Sequence, residues 1–306
     1  MKKLSADADA AHQLIKLTRV QIRHALHKLE RRRLDDEALH CVRKSLKRGR
    51  AGLRLLRPGL PETEYRKANG ALRDAARPLG GLRDANVLQD TLTQLLARPQ
   101  RRGPPVELAA LTRMLRQHRK AMRQQVLHDG RVLAHSRHLL REALARTAGW
   151  KLRKSNWKLL GPALEHIYRK ARRARAVASA TGTPHSLHEW RKQVKYLHYA
   201  LQILRPVWPA MVGALAQQTH ELSDELGDSH DLAVLCATSI AHPDLLEAPG
   251  NLNTLLGLTE HRQQILTHEA SLLGARLFED KPRAFAGRLG HYWRDWRHSQ
   301  LSTGAA

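Results

Sequence analysis

The sequence predicts an all-α chain built from two related halves, and three observations predict it. Strand formers are scarce: among 306 residues there are two Phe and five Tyr, while Ala, Leu, Arg and Gln dominate. Apolar residues recur at helical spacing between Pro and Gly stops. A stretch of the first half also returns in the second at a shift of 148 residues.

The first half reads as helices near 5–32, 36–57, 62–78, 82–97, 106–128 and 131–147. Asp35-Asp36-Glu37 places carboxylates at the start of the second, where amide groups and the helix dipole favour negative charge. Glu62-Thr63-Glu64-Tyr65-Arg66 echoes the Glu-x-Glu-x-Lys strand of triphosphate tunnel enzymes, but it follows Pro61 in a helical context and reads as the start of the third helix. Leu79-Gly80 separates the third from the fourth, and the run from Arg98 to Pro105, with its three prolines and Gly103, is a loop before the fifth. Thr147 to Ser155, around Gly149, is the expected seam between an N-terminal bundle over 1–150 and a C-terminal bundle over 151–306.

The second half reads as helices near 156–178, 184–205, 209–226, 229–241, 251–277 and 281–299. Thr183-Pro184 supplies an N-cap followed by proline at the first helical position. Gly227 is expected to end one helix, with the next beginning two or three residues later.

The repeat aligns His40, Arg43, Lys44 and Lys47 with His188, Arg191, Lys192 and Lys195, and eight of the nineteen positions from His40 to Pro58 are identical. At a shift of 147, Leu79-Gly80 and Arg83-Asp84 fall on Leu226-Gly227 and His230-Asp231. Two matches in the same order indicate a duplicated helical unit with pseudo-twofold symmetry.

Composition sets the partner class. Lys and Arg number 53 against 28 Asp and Glu, a formal charge of +25 that calls for a polyanion. The basic residues are segregated: none lies between Arg205 and Arg262. Apolar residues at 42% can build a core, and two cysteines, Cys41 and Cys236, exclude a disulfide framework and fit a reducing compartment. Without a signal core or a long apolar run, the expected location is the cytoplasm.

The chemistry concentrates on the two matched helices. His40, Arg43, Lys44, Lys47 and Arg54 share one helical stripe beside a buried stripe of Leu39, Val42, Leu46, Leu53 and Leu56. His188, Arg191, Lys192 and Lys195 lie beside Leu187, Trp190, Val194, Leu201 and Leu204 in the same way. Stacked cations repel by a few tenths of a kcal/mol per pair, roughly, and an anion removes that cost. Phosphate suits the set, since Arg offers a planar donor fork, Lys a mobile charge and His a donor whose pKa an anion raises.

Weaker candidates are Arg19 and Arg23 on the first helix, Arg169, Lys170 and Arg173 on the seventh, and Arg83 and His230 at an expected helix start, where exposed amides attract anions. Asp84 and Asp231 either orient basic side chains or favour the helix start. Nineteen histidines include i,i+3 pairs such as His24/His27, but no completing ligand stands at motif spacing, and no metal or cofactor is expected. Phosphate-loop, nucleophile-elbow and zinc-protease motifs are missing, so no catalytic residue is expected. Most of the six tryptophans read as core.

These residues resemble the CHAD domain, a family of helical proteins named for its histidines. The resemblance rests on Leu187-His188-Glu189-Trp190-Arg191-Lys192-Gln193-Val194-Lys195-Tyr196-Leu197, on Leu226-Gly227-Asp228-Ser229-His230-Asp231-Leu232, on the first repeat, and on Arg276-Leu277-Phe278-Glu279-Asp280-Lys281-Pro282. It implies two four-helix bundles with additional helices, a basic central groove and non-enzymatic binding of inorganic polyphosphate. His40, Arg43, Lys44, Lys47 and their counterparts would carry the contacts. Some relatives fuse the domain to a tunnel triphosphatase; no such partner is present, so no hydrolysis is implied. Nucleic-acid binding and a scaffold for an acidic protein remain alternatives on the same charges, and association with polyphosphate granules stays open.

Overall fold

The computed structural model describes residues 4–31, 34–97, 108–128, 130–246 and 250–303; the side chains of 81–83, 126–128, 245 and 300–303 are outside the description, as is the expected loop at 98–105. Among the described residues there is helix and no strand. The helices are α1 (Ala10–Leu29), α2 (Asp36–Leu56), α3 (Glu62–Ala76), α4 (Gly80–Leu96), α5 (Ala109–His128), α6 (Gly130–Arg146), α7 (Asn156–Thr181), α8 (Pro184–Leu204), α9 (Pro209–Ala241), α10 (Asn251–Leu277) and α11 (Pro282–Thr303).

Most boundaries follow from local chemistry. Asp9 caps α1 by accepting from the His12 amide at 2.8 Å, which starts the helix later than its apolar pattern suggests. Pro78 stops α3 before the α4 start at Gly80, because a proline removes an amide donor and clashes with the preceding turn. The second half has Glu225 at the matching place. There α9 runs unbroken through Gly227 for 33 residues, where two helices were expected. A glycine inside a helix costs about 1 kcal/mol, too little to end one by itself.

Helices α1, α2, α3 and α6 pack in a ring, each against the next. Helix α7 packs on α8 and α11, α8 on α9, and α9 on α10. One large core joins the halves: Leu14, Val42, Leu53, Leu56 and Leu72 belong to it together with Leu160, Leu164, Trp190, Val194 and Leu201. A second core is built differently. Leu88, Leu92, Leu95, Leu111 and Leu115 of α4 and α5 close on Leu232, Leu235, Leu255 and Leu266 of α9 and α10. Two helices of the first half thus complete a cluster begun in the second.

The terminal segment of the resemblance is a clamp. Tyr168 Oη donates to the Leu277 carbonyl at 3.0 Å, Arg172 Nε donates to that of Phe278 at 3.0 Å, and Tyr168 stacks on Phe285 with ring centroids 4.1 Å apart. Trp190 and Trp293 are buried as core residues, whereas Trp208 is exposed. No helix among the described residues is long and apolar enough to cross a membrane.

Candidate anion-binding site

Helices α2 and α8 pack on each other where the two halves meet, and α2 also packs on α7. Both starts are capped as the sequence suggests: Ala38 N donates to Asp35 Oδ1 at 2.6 Å, and Ser186 N donates to Thr183 Oγ1 at 3.2 Å. Apart from the half-buried Leu187 their apolar stripes are buried, and several of the basic residues beside them line three recesses.

The most basic recess, of about 630 Å³, opens between α2, α3, α7 and α8. Six cations line it, Arg50, Arg54, Arg57, Arg169, Lys170 and Lys192, against one carboxylate, Glu62. Several are held in place by neighbours. The Arg54 guanidinium lies 3.4 Å from the Tyr196 ring centroid, and that of Arg57 lies 4.9 Å from Tyr65. Arg50 Nε donates to Asn69 Oδ1 at 3.0 Å, and Arg57 Nε donates to Glu62 Oε2 at 3.1 Å. His166 sits between Arg57 Nη1 at 3.4 Å and Arg169 Nη2 at 3.3 Å. Burial, and then Lys170, Arg57 and Arg169, hold its pKa below the usual imidazole range.

A shallower recess of about 400 Å³ lies on α2 and α3 and shares Arg50 with the first. Arg43, Lys47, Arg73 and Arg77 also line it. Together the two make a continuous basic track along α2.

The third recess, of about 280 Å³, lies between α1, α2, α8 and α9 and is mixed in character. The 148-residue shift relates it to the arginine-rich cleft: Lys44 corresponds to Lys192, Arg48 to Tyr196, Arg50 to His198 and Arg54 to Gln202. The two clefts are therefore counterparts in position with different chemistry.

The predicted residues divide accordingly. Arg169, Lys170 and Lys192 meet in the arginine-rich cleft, Arg43 and Lys47 in the shallow recess, and Lys44 and Lys195 in the mixed one. His40 is exposed on α2, Arg173 is exposed one turn beyond Arg169, and Arg23 is exposed on α1. Arg19 instead reaches the turn that follows α6, with Nη1 donating to Thr147 Oγ1 at 3.3 Å, and lines none of the three. The Arg83 side chain lies outside the described residues.

Two expectations need correction. His230 is not in the first turn of a helix, since α9 is continuous there, so no amide cluster is available beside it. Arg191 faces inward at 8% exposure, with Nη1 4.0 Å from Asp231 Oδ1 and its guanidinium across Gly227. Its counterpart Arg43 donates from Nη1 to the Leu79 carbonyl at 2.7 Å, next to Gly80. The Leu-Gly-x-x-x-Asp motif is thus the seat of the other motif's arginine.

His188 belongs to the same inner cluster: its ring lies 4.3 Å from that of His230, and burial, His230 and Arg191 hold its pKa down. Those neighbours disfavour its charged form, so it is no ready-made cation.

Arg50, Arg57, Arg73 and Arg77 are absent from the predicted set, and Arg54 enters it only as a member of the basic stripe on α2. Arg50 and Arg54 continue the face of Lys47 at helical spacing, a usable signal, but the second copy has His198 and Gln202 there, so a search for shared residues passes over them.

A family model described as the CHAD domain matches residues 6–238. Among solved structures, the crystal structure of the CHAD domain from the plant Ricinus communis matches with a TM-score of 0.62 at 18% identity, covering 90% of this chain and 94% of that one. At that identity the likeness speaks for the fold. No curated protein matches the chain.

Proposed function

The chain belongs to the CHAD-domain family, and we propose that it binds inorganic polyphosphate without transforming it, along the track from Arg43, Lys47 and Arg50 into the arginine-rich cleft. The observation that carries this is the way the cleft arginines are held. Guanidinium planes fixed on Tyr196 and Tyr65 present oriented donor forks to successive phosphates and lose little freedom on binding.

The same stacking disfavours single-stranded nucleic acid, because the tyrosine faces that bases would use are covered by arginine. Catalysis finds no support either. Glu62 is tied to Arg57 and Arg66, which hold its pKa below the usual range and make it a poor proton donor. The basic-free stretch around 206–261 buries Leu232, Leu235 and Leu255 in the second core and carries no Lys or Arg with which to meet an acidic partner. Cytoplasmic residence goes with this reading, and cell fractionation tests it.

Calorimetry with polyphosphates of defined length tests the binding. Affinity should rise with chain length until the track is filled and should fall steeply with salt. Equal affinity for triphosphate and for a long chain would reject the track. Displacement of long polyphosphate by duplex DNA or by RNA at equal phosphate concentration would favour the nucleic-acid reading.

A further inference from the structure

We propose that the mixed cleft is a separate site for a small phosphate ester carrying a flat polar ring, with a nucleoside monophosphate as its type. The inference does not rest on the polyphosphate reading, because it concerns the other side of the α2–α8 packing and different side chains.

Size and charge come first. A space of about 280 Å³ fits a small ligand and is too confined for a long chain. Three cations, Lys44, Arg48 and Lys195, line it against one carboxylate, Asp224, where the counterpart cleft sets six cations against one. Lys44 and Arg48 form no ion pair among the described residues. One phosphate dianion needs about that much positive charge.

The rest of the wall suits an organic body. Leu17 and Ile203 supply apolar surface that a bare phosphate polymer cannot use. Three rings stand together: His198 lies 5.1 Å from Tyr199 and 4.8 Å from His220, centroid to centroid. A flat heterocycle packs well against such a group.

Hydrogen bonding is equally specific. His198 Nδ1 donates to the Ala216 carbonyl at 2.8 Å, and His220 Nδ1 lies 2.9 Å from Asp224 Oδ2, which accepts from it. The carbonyl partner fixes the proton of the neutral His198 ring on Nδ1 and leaves its Nε2 as an acceptor, suited to the amino and ring N–H groups of a base.

The test is calorimetry with adenosine 5′-monophosphate, with orthophosphate and long polyphosphate as comparison probes, on the whole chain. The nucleotide should bind one per chain and at least tenfold more tightly than orthophosphate. Tyr199→Leu and, separately, the half-exposed Arg48→Gln should each weaken it at least fivefold while leaving polyphosphate affinity unchanged. Arg54→Gln/Lys170→Gln should do the reverse. The proposal is overturned if wild type gives no saturable nucleotide binding, if neither Tyr199→Leu nor Arg48→Gln weakens it, or if only Arg54→Gln/Lys170→Gln does, since that result places the nucleotide in the other cleft. Failure of polyphosphate to bind, with the nucleotide results as expected, would reject the polyphosphate reading and leave this one standing.

Discussion

The Arg191 guanidinium lies so close over Gly227 that a methyl group added there would stand 2.6 Å from Nη2 and 3.0 Å from Cζ. The duplicated pair is looser: at Gly80 the same methyl would be 3.6 Å from Arg43 Nη1. One relationship therefore exists in two copies at two tightnesses, and it joins the two sequence motifs that define the repeat. Each arginine uses the missing side chain as its resting place. In the second half the glycine sits inside a helix, and the packing of a buried arginine offsets its intrinsic helical cost.

Gly227→Ala should consequently destabilise the chain by about 2 kcal/mol, because a buried guanidinium must shift to admit the methyl group. Gly80→Ala should change stability by about 0.5 kcal/mol or less, since 3.6 Å is ordinary contact. Urea denaturation of the two variants checks the contrast. Equal losses would mean that the two seats are not distinguished as the distances indicate.

Arg54→Gln/Lys170→Gln should weaken polyphosphate binding and lower the slope of log affinity against log salt by roughly 1.4, at about 0.7 per lost phosphate contact on a single-stranded polyanion. Arg19→Ala and Arg23→Ala, which alter residues outside the track, should leave both quantities unchanged. Titrations between 50 and 200 mM salt, on the order of the usual range, measure the slope.

Polyphosphate binding should strengthen as pH falls from about 8 to 6, with His166 as the responding group. Burial first, and then the cations Lys170, Arg57 and Arg169, lower its pKa in the free protein, and Glu62 opposes them. A bound polyanion offsets those cations, raises the pKa and so takes up a proton. His166→Asn should flatten the profile. The inner His188 lies outside the track, and His188→Asn should leave the slope as it is. Binding heats in buffers of different ionisation enthalpy count the protons directly.

Folding stability should decline as pH drops below about 6.5, the free imidazole value. Burial lowers the folded-state pKa of His198, His188, His166 and His24. The unfolded chain then binds protons more readily, so stability is full above the unfolded pKa and is lost as pH falls toward the folded values. Glu225 and Asp228 are shifted upward, chiefly by burial, and carry the opposite sign nearer the carboxylate range. Thermal melts between pH 5.5 and 7.5 should show the loss, and His198→Gln should reduce it.

Local physics was legible in the sequence alone. Helical spacing identified the buried stripes of α2 and α8, Asp35 and Thr183 marked where those helices begin, and the internal repeat exposed the duplicated basic set. All of these depend on residues within a few turns of one another, or on comparing one local pattern with another. The union of α4 and α5 with α9 and α10, the continuity of α9 through Gly227, and the division of the basic residues among three recesses came only with the tertiary structure. The reason is the same in each case. Gly227 looks like a helix end until Arg191, 36 positions earlier, is seen lying across it. Likewise, whether a cation on α2 faces phosphate, the core or a mixed cleft is decided by which distant helix packs beside it.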